Sequence, residues 1–518
     1  MKFKRILSAC VATGILMCGC TPEASEQIEI KRETLTRGEV MASLDLGIKI
    51  ENVSKDNYKS AKEGNPISAA VFCADPTAVE YNGRLYVFGT NDHQQYEAVG
   101  PDEENTYGAI KSLVIFSTED MMNWTYHGAI DVQKISPWIY ASWAPTITSR
   151  VEEDGLTHFY LYYSNSGCGV GVLTATDPLG PWTDPLGRAL INFDTPGLGD
   201  CPNPFDPGIV IDEDGVGWLS FGAGVGASGS DYMPGSARIV KLGDDMISFA
   251  SDFAEIPAPY LFEASELNYI NGTYVYTYNT SWVERSIWDN KKYDAPASCS
   301  MAYMTTKNPL DSDSWEYRGH YFLNPGEVGM SYSNNHTHLH KYKGEYYILS
   351  HALTLKNSMG FKGGFRSLCA DNIEVNERKL EITLRGASLE GAKQIEPLSP
   401  YYAHAGTEAS TSAKIWYTPS DGSINNVSAV TQGEGAWILV KGVEFDETSK
   451  FLASCKGKGR IEIRLDSKTG DVAAAIEFDN SELATVYTEN INIESGVHDL
   501  YIVFSDEGIV FDAWEFVK

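Results

Sequence analysis

The segment that decides the fold is "VEYNGRLYVFGT", residues 79 to 90. Its Asn82-Gly83 pair is the strongest short signal for a β-hairpin, because both central positions of a type I′ turn require a positive φ. The residues after the turn, 84 to 90, alternate aliphatic and aromatic side chains, which favours a strand. The segment therefore predicts two antiparallel strands joined by a tight turn.

This hairpin pattern returns four more times along the chain, each time with a glycine in the turn and an aromatic-rich second strand. The turn glycines are spaced 57 to 72 residues apart, which leaves room for a four-stranded sheet and its loops. Five such sheets arranged radially make a five-bladed β-propeller. A β-sandwich is the competing all-β fold, but it does not explain so long and regular an interval. The later copies are "VEEDGLTHFYLYYS" (151–164), "VIDEDGVGWLSFG" (210–222), "NYINGTYVYTYN" (268–279) and "HKYKGEYYILSH" (340–351).

An ionisable side chain precedes the turn glycine by eight or nine residues in four of the five copies. These residues are Asp75, Asp206, Glu263 and His336, and Trp143-Ala144-Pro145 holds the equivalent region of the second copy. The innermost strands of a propeller bring equivalent positions to one central cavity, where ionisable groups are costly unless they bind or react. An Asp-Pro pair also caps turns, but three carboxylates at one phase of a repeat indicate a shared site.

Two carboxyl groups across a cavity suit the cleavage of a glycosidic bond. Glu263 is the predicted general acid, because the apolar "PAPYLF" before it would desolvate the carboxyl and raise its pKa. Asp75 is the predicted general base, and Asp206 would keep the pKa of the acid high by charge repulsion. Glu266 is the rival acid, but in a regular strand it has the opposite parity to Glu263 and faces away.

Five segments resemble successive landmarks of glycoside hydrolase family 43, over about residues 66 to 400. The resemblance implies a five-bladed propeller and an inverting mechanism, with Asp75 as base, Asp206 as pKa modulator and Glu263 as acid. The segments are "CADPTAVEYNGRLYVFGTND" (73–92), "SWAPTI" (142–147), "FDPGIVIDEDGVGWLSFG" (205–222), "FEASELNYINGTYVYTYN" (262–279) and "NNHTHLHKYKGEYYILSH" (334–351).

The same resemblance assigns three further residues. His336 matches the family's central histidine, which implies a nearby cation on the propeller axis, commonly calcium. Arg366, in "GFRSLC", matches an arginine near the substrate, and Trp143 would line the sugar pocket. The chemistry itself requires no cofactor, so the implied calcium would be structural.

The layout looks closest to the xylosidase and arabinofuranosidase members of the family. We therefore expect an exo-acting, inverting α-L-arabinofuranosidase and/or β-xylosidase acting on plant hemicellulose or arabinan-derived glycans. One alternative is an endo-arabinanase of the same family, and another is a surface glycan-binding lipoprotein that has lost catalysis. A formal net charge of −30 disfavours nucleic acid as a partner, which leaves an oligo- or polysaccharide.

The first 20 residues predict a lipoprotein signal peptide. Lys2, Lys4 and Arg5 precede a short apolar run, and Met17-Cys18-Gly19-Cys20 resembles a lipobox, which implies cleavage before Cys20 and lipidation of its thiol. The protein would be exported and held at the bacterial cell envelope, on the periplasmic or cell-surface face of the outer membrane. Its membrane attachment would be through the lipid anchor only, with residues 21 to 65 as a tether and N-terminal segment.

The catalytic propeller is predicted for residues 66 to 400, and short alternating strands predict a β-sandwich for residues 401 to 518. This second unit resembles a family 6 carbohydrate-binding module, notably in "AWILVKGVEF" and "GRIEIRLDSKTGD". Such modules hold a sugar between two aromatic rings beside an asparagine. Here Ala429, Ala484 and Phe511 occupy those positions, so the rings and the asparagine are lost from the usual cleft.

Overall fold

The structure, a computed structural model, describes residues 56–224, 236–399, 402–420 and 426–518. The predicted signal peptide, Cys20 and most of the predicted tether lie outside these residues. The described chain is almost entirely β-structure. Its helices are α1 (Asp92–Val99), α2 (Val132–Ile135) and α3 (Thr354–Met359), with 3-10 turns at Ser166–Cys168, Ser312–Ser314 and Pro325–Val328.

The first four blades of the predicted propeller are antiparallel sheets of four strands each, in simple sequence order. Blade I has β1 (Ala74–Tyr81), β2 (Arg84–Thr90), β3 (Ser112–Thr118) and β4 (Trp124–Asp131). Blade II has β5 (Trp143–Val151), β6 (Thr157–Ser164), β7 (Gly169–Ala175) and β8 (Ile191–Asn192). Blade III has β9 (Gly208–Ile211), β10 (Gly217–Phe221), β11 (Ala237–Lys241) and β12 (Ala254–Ile256). Blade IV has β13 (Leu261–Ile270), β14 (Thr273–Thr280), β15 (Met301–Thr306) and β16 (Glu316–Phe322).

Blade V has three strands rather than the four that the repeat predicts, and the beginning of the chain completes it. The amide of Ile67 donates to the carbonyl of Leu368, and Asn65 donates to Asp371 and accepts from the amide of Ala370. These bonds tie the N-terminal segment to the outer strand and so close the ring. The strands are β17 (His338–Tyr342), β18 (Glu345–Ala352) and β19 (Ser367–Asn372), followed by the small pair β20 (Val375–Asn376) and β21 (Glu381–Ile382).

The first strands of neighbouring blades lie side by side around the axis, as β1 does with β5 and β17. Five apolar clusters fill the spaces between successive blades. The inner strands of each blade are therefore buried on both faces, which explains why aromatic and aliphatic side chains occupy consecutive positions in β2 and β14. The hairpin turn that predicted the fold has φ of 52° at Asn82 and 77° at Gly83, as a type I′ turn requires.

All but one of the C-terminal strands form one strongly curved, nearly closed sheet around an apolar core, and the remaining one, β23 (Thr407–Glu408), adds a fifth strand to the sheet of blade I. Thr407 and Glu408 pair with Thr125 and Trp124 on the outer edge of blade I. The strands are β22 (Ala403–His404), β23 (Thr407–Glu408), β24 (Ser410–Thr411), β25 (Ile415–Pro419), β26 (Val427–Thr431), β27 (Trp437–Phe445), β28 (Lys450–Leu465), β29 (Val472–Thr488), β30 (Gly496–Phe504) and β31 (Val510–Val517).

The contact between the two units is specific. The side-chain amide of Asn123, in the turn before β4, donates to the carbonyl of Lys441 and accepts from its amide, both at 2.8 Å. This turn lies at the opposite end of blade I from Asp75, so the second unit packs away from the mouth of the central cavity. Among the described helices, none has the length and apolar character needed to cross a membrane.

Candidate active site on the propeller axis

In four blades a left-handed residue lies at or near the start of the first strand. The residues are Asp75 (φ 49°), Ala144 (φ 39°), Asp206 (φ 49°) and Ala264 (φ 63°). Positive φ is uncommon outside glycine, and the ladders are irregular just after Ala74 and Trp143 and after Glu263. The shared backbone shape makes Asp75 and Asp206 equivalent to each other. In blade IV the equivalent residue is Ala264, so Glu263 lies one residue before it. Counting residues from the turn glycines does not reveal this difference.

Asp75 is 5% exposed and is surrounded by hydrogen-bond donors. Its Oδ1 accepts from Nη1 of Arg366 at 2.8 Å, and its Oδ2 accepts from the hydroxyl of Thr90 at 2.7 Å. Burial acts to raise the pKa of Asp75, but Arg366, His336, His351 and Thr90 outweigh it and lower the pKa to about 2. Asp75 is therefore ionised at any pH near neutrality.

Arg366 is itself held by a second buried carboxylate. Asp92, at the first turn of α1, accepts from the backbone amide, Nε and Nη2 of Arg366, all at 2.9 Å. The amide of Asn105 also donates to Asp92, at 3.0 Å. Such a bidentate pair fixes the plane of the guanidinium, which leaves Nη1 directed at Asp75.

Asp206 and Glu263 form a pair of carboxyl groups on neighbouring blades. Asp206 accepts from the amide of Ala264 at 2.8 Å and from the hydroxyl of Ser164 at 3.3 Å. Burial, followed by repulsion from Glu263 and Asp75, raises the pKa of Asp206 well above its usual value. Burial and Asp75 raise the pKa of Glu263 to about 7.

The hydrogen bonds decide where a proton shared by this pair is more stable. The bonds from Ala264 and Ser164 stabilise the ionised form of Asp206. Among the residues that the structure describes, the hydrogen bond that Glu263 accepts is one of 3.3 Å from the side-chain amide of Asn334. We therefore place the proton on Glu263 and the negative charge on Asp206.

Glu266, the rival acid, does not face away from the interior as strand parity predicted. Two irregularities interrupt the ladder between residues 261 and 266, so the alternation of side chains is lost there. Glu266 is 1% exposed, and its carboxylate lies 3.2 Å from Nδ1 of His338. It is thus a buried neighbour of His338 in blade V.

His336 lies where the sequence predicted, buried on the axis with its Nδ1 3.5 Å from Oδ1 of Asp75. Burial lowers the pKa of His336, so the ring is neutral near neutral pH. Calcium takes six to eight oxygen ligands, and the part of the chain that the structure describes contains no group of three or more His, Cys, Asp or Glu side chains arranged to hold a metal ion. These residues do not by themselves make a calcium shell. The metal at His336 stays a prediction, and no step below depends on it.

Trp143 and Arg366 lie on one wall of the site, joined by Tyr107. The indole Nε1 of Trp143 donates to the carbonyl of Tyr107 at 3.1 Å, and their rings meet edge to face at 6.0 Å. The guanidinium of Arg366 lies over the ring of Tyr107, 5.0 Å from its centroid. The half-buried Trp143 ring therefore supplies an apolar face beside the buried charges, as a sugar ring requires.

Five residues of the site were not predicted from the sequence. Each contacts a predicted residue through a hydrogen bond that depends on how blades or loops meet. A weak signal existed for three of them, because Thr90, Ser164 and His351 are the polar residues that end corresponding hairpin segments. The five residues are Thr90, Asp92, Ser164, Asn334 and His351.

The usual sugar cleft of the C-terminal unit is closed to a ligand at two of its three positions. Ala429 and Phe511 are both fully buried, and they pair with each other across β26 and β31. Ala484 is exposed but presents only a methyl group. The described residues thus supply no pair of facing aromatic rings at these positions.

Comparison with known proteins agrees with this division of the chain. A family model described as "Glycosyl hydrolases family 43" matches residues 63–379, and one described as "Carbohydrate binding module (family 6)" matches residues 404–518. An arabinoxylan arabinofuranohydrolase of Bacillus subtilis (strain 168) is 34% identical over 491 residues, which cover 89% of this chain and 93% of that protein. One from Paenibacillus polymyxa is 33% identical over 495 residues, which cover 90% of this chain and 76% of that protein.

A solved structure is similar over both units. It is the crystal structure of a glycoside hydrolase family 43 arabinoxylan arabinofuranohydrolase from Bacillus subtilis in complex with cellotetraose. The TM-score is 0.82 at 32% identity, and the similarity covers 90% of this chain and 100% of that chain. The propeller with its attached C-terminal sheet is therefore an arrangement shared with a solved structure.

Proposed function

Because the chain belongs to glycosyl hydrolase family 43, and is thus a glycosidase, we propose that it removes L-arabinofuranose side chains from arabinoxylan by an exo-acting, inverting mechanism. β-Xylosidase activity would be a second outcome of the same site. The observation that carries the proposal is the pairing of an ionised Asp75 with a protonated Glu263 in one cavity. The printed names of the two relatives support the choice of arabinose and of arabinoxylan.

In the proposed reaction, Glu263 donates its proton to the glycosidic oxygen as the bond from that oxygen to the anomeric carbon breaks. Asp75 accepts a proton from a water molecule, whose oxygen bonds to the anomeric carbon from the opposite face. The sugar leaves with inverted configuration. Asp206 stays ionised, and its charge keeps Glu263 protonated until the transfer.

The pH dependence follows from the two titrations. Asp75 must be ionised, as it is well above its pKa of about 2, and Glu263 must be protonated. We therefore expect kcat/KM to be level from the pKa of about 7 at Glu263 down to the pH at which Asp206, whose pKa is also raised, takes a proton. Above pH 7 it should fall about tenfold per pH unit, since the acid loses its proton. Initial rates at substrate concentrations below KM, in buffers of constant ionic strength, measure this profile. A rate that rises through pH 7 to 9 would contradict the assignment.

The substrate and stereochemistry are tested together. The protein is incubated with arabinoxylan, with linear arabinan and with aryl arabinofuranosides, xylosides and galactosides. We expect free arabinose from arabinoxylan with no shortened xylan chains, and proton NMR should show the inverted anomer first. Retained configuration in the first product would contradict the mechanism.

Two alternatives are separated by the same panel. Arabino-oligosaccharides released from linear arabinan would identify an endo-arabinanase. No turnover of any substrate, with binding intact, would identify a glycan-binding protein that has lost catalysis. The presence of all three buried carboxyl groups favours catalysis, since such groups are costly to retain in a cavity that only binds.

We also propose that the protein is exported and anchored through a lipid on Cys20. The support is the basic start, the short apolar run and Met17-Cys18-Gly19-Cys20. In a Gram-negative host fed a labelled fatty acid, the wild-type protein should carry the label in the membrane fraction. Cys20→Ala should lose both label and membrane association, whereas the Cys18→Ala control should keep them. Labelled Cys20→Ala would contradict the proposal.

A further inference from the structure

Two of the left-handed residues, Ala144 and Asp206, share a supporting contact, whereas the amide of Ala264 donates to the carboxylate of Asp206 at 2.8 Å. The backbone amide of Ala144 donates to the hydroxyl of Thr90 at 2.7 Å, and that of Asp206 donates to the hydroxyl of Ser164 at 2.8 Å. In each case the acceptor ends the second strand of the preceding blade. A left-handed residue turns its amide out of the strand ladder, so a side chain must accept that hydrogen bond.

At Asp75 the acceptor is an imidazole instead of a hydroxyl. The amide of Asp75 donates to Nδ1 of His351 at 3.2 Å, and His351 lies at the end of β18, the second strand of blade V. A hydroxyl served the same purpose at the two equivalent places. The imidazole also has a second nitrogen, which can make a further hydrogen bond that Thr90 and Ser164 do not make.

The second ring nitrogen of His351 reaches the loop that carries Asn334. Nε2 lies 3.0 Å from the carbonyl oxygen of Asn334, and the side-chain amide of Asn334 donates to Oε1 of Glu263 at 3.3 Å. A backbone amide can only donate and a carbonyl can only accept. The ring is therefore neutral, with its proton on Nε2, which agrees with a pKa that burial and Arg366 lower to about 3.

These bonds make one continuous connection from the base to the acid. It runs from the amide of Asp75 through the ring of His351 and the backbone of Asn334 to the carboxyl of Glu263. His351 is fully buried, so its ring has no freedom to change this spacing. An inverting reaction needs that spacing to be right, because a water molecule must fit between base and sugar.

We propose that His351 is a positioning residue that fixes Asp75 relative to Glu263, by holding the backbone of the first and the loop that orients the second. The inference rests on the proposed function, in which these two residues are base and acid. It adds a residue that touches neither substrate nor the reacting atoms. Replacing His351 should therefore lower kcat, and most strongly for substrates whose leaving group needs the proton from Glu263.

His351→Ser is the informative variant. It supplies a hydroxyl of the kind that accepts from the amides of Ala144 and Asp206, but it removes the hydrogen bond from Nε2 to the carbonyl of Asn334. Two substrates are compared, an aryl glycoside with a good leaving group and an arabinoxylan oligosaccharide with a poor one. We expect kcat on the poor substrate to fall about 100-fold, as for a displacement of about 1 Å. The fall on the good substrate should be clearly smaller, and KM should change little on either.

His351→Gln retains an amide that can accept and donate, and it should recover part of the loss. His340→Gln is the control and should leave the ratio of the two kcat values unchanged. It changes a half-buried histidine of the same blade that bonds to His338. Circular dichroism of every variant checks folding. If His351→Ser lowers both kcat values equally, or not at all, the positioning role is wrong. If the wild-type protein turns over neither substrate, the proposed function fails instead.

Discussion

Glu263→Gln should lower kcat on arabinoxylan by about 1000-fold while substrate binding and the fold remain. Glutamine keeps the shape of the side chain and can still accept from Asn334, which donates to Oε1 of Glu263 in the wild type. It has no acidic proton, however, and general acid catalysis contributes about 100- to 10,000-fold to such reactions. Steady-state kinetics and calorimetric binding to an arabinoxylan oligosaccharide measure the two quantities separately.

The leaving group distinguishes loss of an acid from general damage. A dinitrophenolate departs without much protonation, so the dinitrophenyl glycoside should lose far less activity in Glu263→Gln than arabinoxylan does. The fall in kcat/KM above pH 7 should disappear as well, because it reports the titration of Glu263. Equal losses on both substrates, with the pH dependence retained, would remove Glu263 from the acid role.

Glu266→Gln is the matched control for this experiment. It changes a second buried glutamate on the same strand, one that lies beside His338. Even if its stability falls, it should keep the wild-type leaving-group dependence and the fall in rate above pH 7. A change in either property would transfer the acid role to Glu266.

The propeller could be predicted because its signal is local. Asn82-Gly83 requires a particular turn by its own backbone chemistry, and five copies at long intervals leave few architectures. The three-stranded blade V could not be predicted in the same way. The outer strand of blade V hydrogen-bonds to Asn65 and Ile67, some 300 residues earlier in the chain. Nothing in the sequence repeat of blade V predicts that pairing.

The site shows the same limit on a smaller scale. Asp75, Asp206 and Glu263 were predicted because each lies eight or nine residues before the turn glycine of its repeat. Asp92 begins α1, between β2 and β3, and the repeat does not constrain this segment. Its bonds to Arg366 therefore follow only from the folded chain. The parity rule for Glu266 failed because β-bulges, which sequence counting does not detect, interrupt the strand.

His351 is an intermediate case. It stands at the end of "HKYKGEYYILSH", where the corresponding segments end in Thr90 and Ser164. The series of polar residues was visible in the repeat. The role of His351 was not visible in the repeat, because it depends on the left-handed backbone of Asp75, whose amide donates to the His351 ring instead of to the strand ladder.

Asp75→Asn should lower kcat by about 1000-fold, and by the same factor on good and poor leaving groups. A base acts on the attacking water, so its loss slows every substrate whatever departs. The amide oxygen can still accept from Arg366, but the side chain can no longer take a proton. The two variants can thus be told apart, because only in Glu263→Gln should the loss of kcat depend on the leaving group.

The competing candidate for the base is Asp206, and its surroundings make the choice testable. Asp75 has Arg366 at 2.8 Å and a pKa of about 2, whereas repulsion and burial raise the pKa of Asp206. The charge of Asp206 is needed to keep Glu263 protonated. Asp206→Asn should therefore move the fall in kcat/KM to lower pH while kcat stays substantial wherever Glu263 is protonated. Asp75→Asn also removes a charge that raises the pKa of Glu263, so it should move the fall in the same direction but lower kcat at every pH. If Asp75→Asn kept more than about a tenth of wild-type kcat, a loss too small for removal of a general base, the base would have to be assigned to Asp206.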